Sequence, residues 1–202
     1  MVMSKCTDMF SSFVIRYQDF DAEIPWHEGS YFQALYLELE AWRRCLPTNF
    51  AFEERNMFTF RASCHLDIFL MTHLWYHQSC CELFGAWMPG HAGYLLALEN
   101  TPDHFLQQCR ERSLSHARHI TQLVRKVLKV EPDHLFRDAW FGLCLLDSIR
   151  IQIAALVSVN EHDGDEIKEE TINNLNLCLS ALNNTRRTIP LAEKIVSQPN
   201  VL

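Results

Sequence analysis

The segment that most constrains the fold spans residues 66–89, LDIFLMTHLWYHQSCCELFGAWMP. It is long enough for about six helical turns, and its apolar and aromatic residues fall on almost every face of such a helix. A helix that is apolar all round is normally buried on all sides, in a large core or in a membrane. The longest unbroken apolar run here is four residues, whereas a membrane span needs roughly 20 mostly apolar residues. The segment therefore predicts the central helix of a soluble helical domain.

A second segment, LFRDAWFGLCLLDSIRIQIAALVSV, is also apolar on nearly all sides. It predicts a second central helix that begins near the sequence Glu131-Pro132-Asp133, ends near residue 159 and packs beside the first. Other helices show apolar residues at helical spacing and are predicted at 29–44, 101–129 and 166–184. No alternating strand pattern is present, so we predict an all-α, irregular multi-helix domain with two buried central helices.

The boundaries of these elements follow from capping residues and helix breakers. Residues 1–28 are predicted to form an N-terminal segment with a short helix, and residues 29–202 the main domain. Thr101 is expected to cap the helix that follows it, with Pro102 at its first position. Residues 48–60 show no clear period and are interpreted as a connection. Short helical turns are predicted within 91–99 and 190–196.

Charge and cysteine usage exclude several classes of protein. The 202 residues carry a formal net charge of −7, which argues against binding to a phosphate backbone. The eight cysteines contain no CxxC pair, so we expect buried free thiols in a reducing compartment, the cytosol or the nucleus. The N-terminus lacks the basic start and apolar run of a secretory signal. We expect no direct contact with nucleic acid and no contact with a membrane.

Two histidines are the main candidates for chemistry. His73 and His77 are four residues apart and share a helix face, and Cys80 and Cys81 follow one turn later. A tetrahedral zinc site could be drawn from these four residues. The alternative, that the imidazoles form hydrogen bonds inside a helical core, is favoured, and Leu74 replaces the glutamate that a zincin protease requires. No metal site is therefore predicted.

The sequence gives almost no direct indication of an enzyme. Paired-carboxylate motifs, nucleophile elbows and phosphate loops are all missing from it. An acidic group near residues 163–170 is explained by capping and solvation. Glu38 and Glu40 lie off the apolar stripe of their helix and are expected to face solvent. We predict no catalytic residue and no cofactor in this chain, and an all-α enzyme is the least favoured interpretation.

Three segments carry a family resemblance. The sequence LYLELEAWRRCLP at 35–47 is similar to a helix that ends in Trp-x-x-x-Leu-Pro in the middle region of fungal zinc-cluster (Zn2Cys6) transcription factors. HLWYHQSCCELFGAWMPG at 73–90 resembles the next signature of that region, and FLQQCRERSLSHARHITQLV at 105–124 resembles a later helix. The family's arginine after the second signature is replaced here by Gly85 or Ala86, and its six-cysteine zinc array is not found in this sequence.

The resemblance implies a role rather than a reaction. It implies that residues 29–202 are the C-terminal portion of a regulatory domain in the nucleus, which controls RNA polymerase II transcription by sensing an effector or a partner. Zinc and DNA binding belong to the family's separate module. Partners would be other parts of a transcription factor, a homodimer partner or a small-molecule effector. The alternative is a protein–protein interaction or dimerisation module without a ligand. For the sensor we predict a pocket between the two apolar helices, lined by five residues: Trp75, Tyr76, His77, Trp140 and Phe141.

Overall fold

The computed structural model describes residues 24–88, 101–132, 134, 136, 138–158 and 165–188. These described residues form six α-helices and no strand, which confirms the all-α prediction. The helices are α1 (Tyr31–Arg44), α2 (Glu54–Ala62), α3 (Leu66–Gly85), α4 (Asp103–Val130), α5 (Ala139–Ser158) and α6 (Asp165–Thr188). A short 3-10 helix, Thr48–Phe50, lies between α1 and α2.

Helix α3 is the centre of the molecule, as its sequence predicts. It packs most extensively on α4 and also contacts α1, α2 and α5. Phe69, Leu74 and Leu83 are completely buried. Because apolar side chains occur on all faces of α3, it can contact four helices at once.

Two apolar clusters share α3. The larger one joins α3 to α4, α5 and α6. The smaller one joins α3 to α1 and to the start of α4, where Phe32 meets Phe84 and Phe105 edge-on, with ring centroids 5.6 and 5.3 Å apart. Helix α1 is started by Ser30, whose hydroxyl accepts a hydrogen bond from the backbone of Gln33. Helices α1 and α5 therefore pack against different residues of α3.

Helix α5 packs beside α3, as predicted, and also contacts α4 and α6, but it is only partly enclosed. The stretch Trp140–Val157 is long and apolar enough to cross a membrane by length and composition, and half of it is buried in the fold. Its buried polar residues bond to α4: Ser148 Oγ donates to the carbonyl of Ala117 at 2.8 Å, and Gln152 Nε2 donates to Thr121 Oγ1 at 3.1 Å. Such contacts are typical of a helix in a protein core.

The segment between α1 and α3 differs from the prediction. Residues 48–60, interpreted as a connection, contain the 3-10 helix and most of α2. Asn56 is buried there, and its side-chain amide donates to the carbonyls of Thr48 and Ala51 at 3.0 and 2.9 Å. Helix α2 buries only Asn56 and Met57, so its sequence shows little helical periodicity.

The predicted start of the second central helix was wrong by about two turns. Helix α5 begins at Ala139 rather than near residue 131. The preceding segment is held by other contacts: His134 Nε2 lies 2.8 Å from Asp67 Oδ1, and buried Phe136 stacks on Phe141 at 3.8 Å. These contacts, one of them to a residue 67 positions away, compete successfully with an earlier helix start.

Other boundaries shift by less. Helix α3 ends at Gly85, α6 extends to Thr188, and the residue at the cap of α4 is Pro102 rather than Thr101. The first short helix predicted within 1–28 would lie mainly in residues 1–23, which are outside the described residues, as are 91–99 and 190–196.

Candidate functional site

A cavity of about 700 Å³ lies where α1, the segment after it, α3 and α4 meet. This volume is within the usual range of small-molecule sites, roughly 300–1,000 Å³. Its wall combines aromatic side chains with imidazoles. The aromatic residues are Tyr36, Trp42, Phe50, Phe52 and Tyr76, and the imidazoles are His73, His77, His116 and His119.

Helical spacing brings the four histidines together. His73 and His77 are four residues apart on α3, and His116 and His119 are three apart on α4, so each pair shares a helix face. Because α3 and α4 pack closely, the two faces meet. The Nδ1 atoms of His77 and His116 are 2.9 Å apart, and the ring of His119 stacks on that of His77 at 4.9 Å with an interplanar angle of 8°. We call His77, His116 and His119 the imidazole cluster.

Hydrogen bonds assign part of the protonation pattern of this cluster. His119 Nδ1 lies 2.8 Å from the carbonyl of Ser115, so this nitrogen carries the proton, and Nε2 has the free lone pair when the ring is neutral. The short contact between His77 and His116 requires a proton on one Nδ1 and a lone pair on the other. A fully protonated pair would place two N–H groups against each other.

Burial keeps these imidazoles neutral. Burial lowers the pKa of His73 to about 4 and that of His116 to about 4, with the charge of His119 adding to the effect at His116. The pKa of His77 is also lowered, mainly by burial and then by His116, His119, His73 and Arg43. All four of these neighbours are basic groups, and each lowers the pKa of His77. His77 and His116 are therefore uncharged at neutral pH.

His73 has an unused polar atom at the wall of the cavity. The ring lies edge-on to Phe52 and Phe69, with centroids 5.0 and 4.9 Å away. One hydrogen bond joins it to the backbone of Phe50. Its Nε2 atom is buried and has no hydrogen-bond partner among the described residues.

Glu40 is held at the wall of the cavity instead of facing solvent, so that prediction was wrong, whereas Glu38 is exposed. The hydroxyl of Tyr76 donates to Glu40 Oε1, and Arg43 Nη2 donates to Oε2 at 3.3 Å. Burial alone raises the pKa of Glu40, but these two bonds and the charges of Arg43 and Arg44 outweigh it and lower the pKa overall. The carboxylate stays ionised and already has its partners.

Tyr76 is fixed as a hydrogen-bond donor. Burial raises its pKa far above the ordinary value, with the charges of Cys80 and Glu40 as further causes. The indole of Trp42 stacks on its ring, with centroids 6.2 Å apart and an interplanar angle of 17°. The guanidinium of Arg43 lies 5.6 Å from the ring centroid of Tyr76. An aromatic and cationic wall therefore stands beside the imidazole cluster.

The structure distributes the five predicted pocket residues, all of them described, over different places. Tyr76 and His77 line the cavity. Trp75 is half-buried against the larger apolar cluster, Phe141 is buried in that cluster, and Trp140 is 47 % exposed. The cavity thus lies between α3 and α4 beneath α1, whereas the predicted pocket lay between α3 and α5.

The zinc set drawn from sequence is not brought together. Cys80 is buried in the smaller apolar cluster, and Cys81 Sγ donates to the carbonyl of Ser113 at 3.8 Å on the side of the larger one. Within the described residues, no group of three or more His, Cys, Asp or Glu is arranged to hold a metal ion. Histidines from α4, which the sequence interpretation missed, take the place beside His77. Their spacing within SHARH was the available signal.

Comparison of the chain with known protein families, with characterised proteins and with solved structures gives no match.

Proposed function

We propose that this chain is a regulatory module that senses a small-molecule effector in the cavity between α1, α3 and α4. Its place of action would be the nucleus of a fungal cell, where it would control transcription by RNA polymerase II. It would contact other parts of a transcription factor rather than DNA itself. The chemistry of the cavity supports binding, and the family resemblance supports the setting.

One observation carries this proposal. Three segments, 35–47, 73–90 and 105–124, resemble the zinc-cluster family, and their described residues lie mainly on α1, α3 and α4. Each contributes to the cavity wall, through Glu40 from the first, His77 from the second and His116 from the third. Segments that are distant in the chain therefore converge on one cavity.

The position of α1 suggests how binding could be transmitted. Helix α1 packs chiefly on α3 and provides one wall of the cavity. A ligand that contacts α1 together with α3 and α4 favours the arrangement in which all three are in place. It shifts the population toward that arrangement by the difference in its affinity for the two states. Surfaces next to α1 would then differ between the free and bound chain.

A reporter experiment tests the proposal. The full chain is placed between a DNA-binding domain and an activation domain in yeast, and reporter transcription is measured across a panel of metabolites. Gln122→Trp should fill the cavity from its exposed rim on α4, whereas Gln107→Trp changes an exposed position of the same helix outside the cavity. We expect at least one metabolite to alter transcription in the wild-type and Gln107→Trp proteins but not in Gln122→Trp. A response that survives in Gln122→Trp would contradict sensing through this cavity.

A specific surface favours a second candidate, a dimerisation module. On α5, Ile153 and Val157 are 37 % and 81 % exposed, and on the adjacent α6 Ile172 and Leu179 are 47 % and 44 % exposed. Exposed apolar groups of this kind promote association. Light scattering should then show a dimer that Val157→Glu dissociates and that Leu37→Glu, at an exposed position of α1, leaves intact. A wild-type monomer would rule out this candidate.

A further inference from the structure

We propose that the cavity binds an aromatic acid, with its planar ring against the aromatic wall and its carboxylate or phosphate group beside the imidazole cluster, and that binding takes up a proton from solvent. This inference rests on the proposed sensing function and specifies the chemical class of the effector. It follows from the charges, the imidazole geometry and the aromatic residues of the wall.

The charges at the wall favour an anion. Arg43 on α1 and Lys126 on α4 are the cationic residues of the lining, and Lys126 Nζ lies 4.8 Å above the ring centroid of Phe52. Glu40 is the one acidic residue among the described residues that line the cavity, and its oxygens are already bonded to Tyr76 and Arg43. An incoming anion therefore meets the positive charge of Lys126 and a carboxylate that Arg43 already neutralises.

The imidazole cluster can supply further positive charge when an anion arrives. The groups that face it are Glu40 and Arg43 from α1, His73 from α3 and Arg112 from α4. Glu40 raises the pKa of His116, but burial and the basic groups outweigh it, so the free chain disfavours an added proton on His77 and His116. A carboxylate or phosphate oxygen beside the cluster would accept a charge-assisted hydrogen bond from a protonated imidazole. The proton comes from solvent, and no covalent bond forms or breaks.

His73 provides an independent sign that a polar ligand group belongs here. The residue is 8 % exposed and lines the cavity, and its Nε2 has no hydrogen-bond partner in the described part of the chain. Buried polar atoms are nearly always paired. Nε2 is buried in the free chain, so a hydroxyl or anionic oxygen on the ligand would satisfy this nitrogen once the ring of His73 turned to expose it.

The aromatic wall favours a flat apolar body over an aliphatic chain. Trp42 and Tyr76 already stack in parallel, and Tyr36 and Phe52 also line the space. Aromatic rings add offset-stacked or edge-on contacts to the burial of apolar area. A volume of about 700 Å³ accommodates one substituted ring with its side chain.

The probes for the test are trans-cinnamate, its neutral isostere cinnamamide, and phenyl phosphate, added to the full purified chain. Calorimetry in two buffers of different ionisation enthalpy counts the protons, and the imidazole C2–H resonances report on the histidines. We expect cinnamate or phenyl phosphate to bind at least tenfold more tightly than cinnamamide, and whichever anion binds better identifies the headgroup. Affinity should rise as the pH falls from 7.5 to 6, by up to about tenfold per pH unit for each proton taken up.

Matched lysine variants locate the anion. Lys126→Gln should weaken anion binding about fivefold, a loss expected when one partly screened charge is removed, and should leave cinnamamide unaffected. Lys129→Gln, which removes an exposed lysine of the same helix outside the cavity, should not change either probe.

Three results would overturn the inference: equal binding of cinnamamide and cinnamate, anion binding without proton uptake, or no binding of any probe. The reporter experiment keeps the two proposals separate. A response to a neutral metabolite that Gln122→Trp abolishes would support sensing while overturning the aromatic-acid class.

Discussion

At the scale of single residues, burial without a counter-charge governs how the histidines respond to acid. His73 and His116 have pKa values of about 4 in the folded chain, below the ordinary value near 6.5. Between these two values the unfolded chain binds more protons than the folded chain. Their neutral forms therefore support the fold fully above about pH 6.5, and this support is lost as the pH falls toward 4.

His116→Gln should flatten this acid dependence. At pH 5 we expect the protonation of His116 to reduce the stability of the wild-type chain by up to about 2 kcal/mol, the free energy that corresponds to a pKa shift of this size. The variant lacks this contribution and should not show this loss. Thermal unfolding followed by circular dichroism from pH 7.5 to 5 measures the slope. His104→Gln, at an exposed position of α4, is the control, and equal slopes for the two variants would contradict the assignment.

Glu82 produces the opposite dependence. Burial, and then the charge of Asp147, raise its pKa to about 7, while Gln78 Nε2 donates to both carboxylates. The folded chain thus holds a proton on Glu82 that the unfolded chain releases above about pH 4.5. The stability that this proton contributes is present at low pH and lost as the pH rises through 7.

Glu82→Gln should therefore stabilise the chain in alkaline solution. We expect its melting temperature to exceed that of the wild type at pH 8 by several degrees, corresponding to about 2 kcal/mol, and to match it near pH 5. Glu111→Gln alters an exposed carboxylate of α4 and should behave as the wild type. A constant difference at both pH values would indicate a packing effect instead.

At the scale of elements, α3 carries the largest share of the core. Phe69 is completely buried, between Phe50, Phe52 and Phe60. Phe69→Ala should cost about 3–5 kcal/mol because a large cavity is left in the core. Phe58→Ala, at a position on α2 that is 50 % exposed, should cost less than about 1 kcal/mol. Urea unfolding of both variants provides the comparison, and similar losses would show that α3 is not central.

Helix α3 could be predicted because a helix that is apolar on every face favours burial on all sides, whereas α5, which has a similar pattern, is only half buried. The same pattern could not position the cavity. Whether His116 and His119 meet His77, or Trp140 meets Trp75, depends on the rotation and crossing of packed helices, which residue periodicity does not determine. Glu40 was placed in solvent because it lies off the apolar stripe, yet it pairs with Tyr76 from a helix 36 positions away in the chain.

At the scale of the whole molecule, the cysteines report on packing. Among the seven in the described residues, Cys45 and Cys64 are exposed, and the other five, Cys80, Cys81, Cys109, Cys144 and Cys178, are buried free thiols. Burial raises the pKa of Cys109 to about 12 and that of Cys178 above its ordinary value. The thiolate is the reactive form of cysteine. The buried thiols therefore react slowly, because reagents cannot reach them and because they stay protonated.

Alkylation should therefore divide the thiols into two groups. With iodoacetamide at pH 8, peptides that contain Cys45 and Cys64 should be modified within minutes, and those of the buried group should follow only as the chain opens. Peptide mass spectrometry measures each rate. Rapid modification of Cys178 in the native chain would show that α6 leaves the core by itself.

The buried thiols are also distributed usefully, on α3, α4, α5 and α6. Each of these four helices therefore carries a thiol whose labelling reports when that helix opens. Helices that open together will acquire label at one common rate, and a helix that opens separately will acquire it at its own. Labelling with and without ligand would then show which helices the cavity holds together.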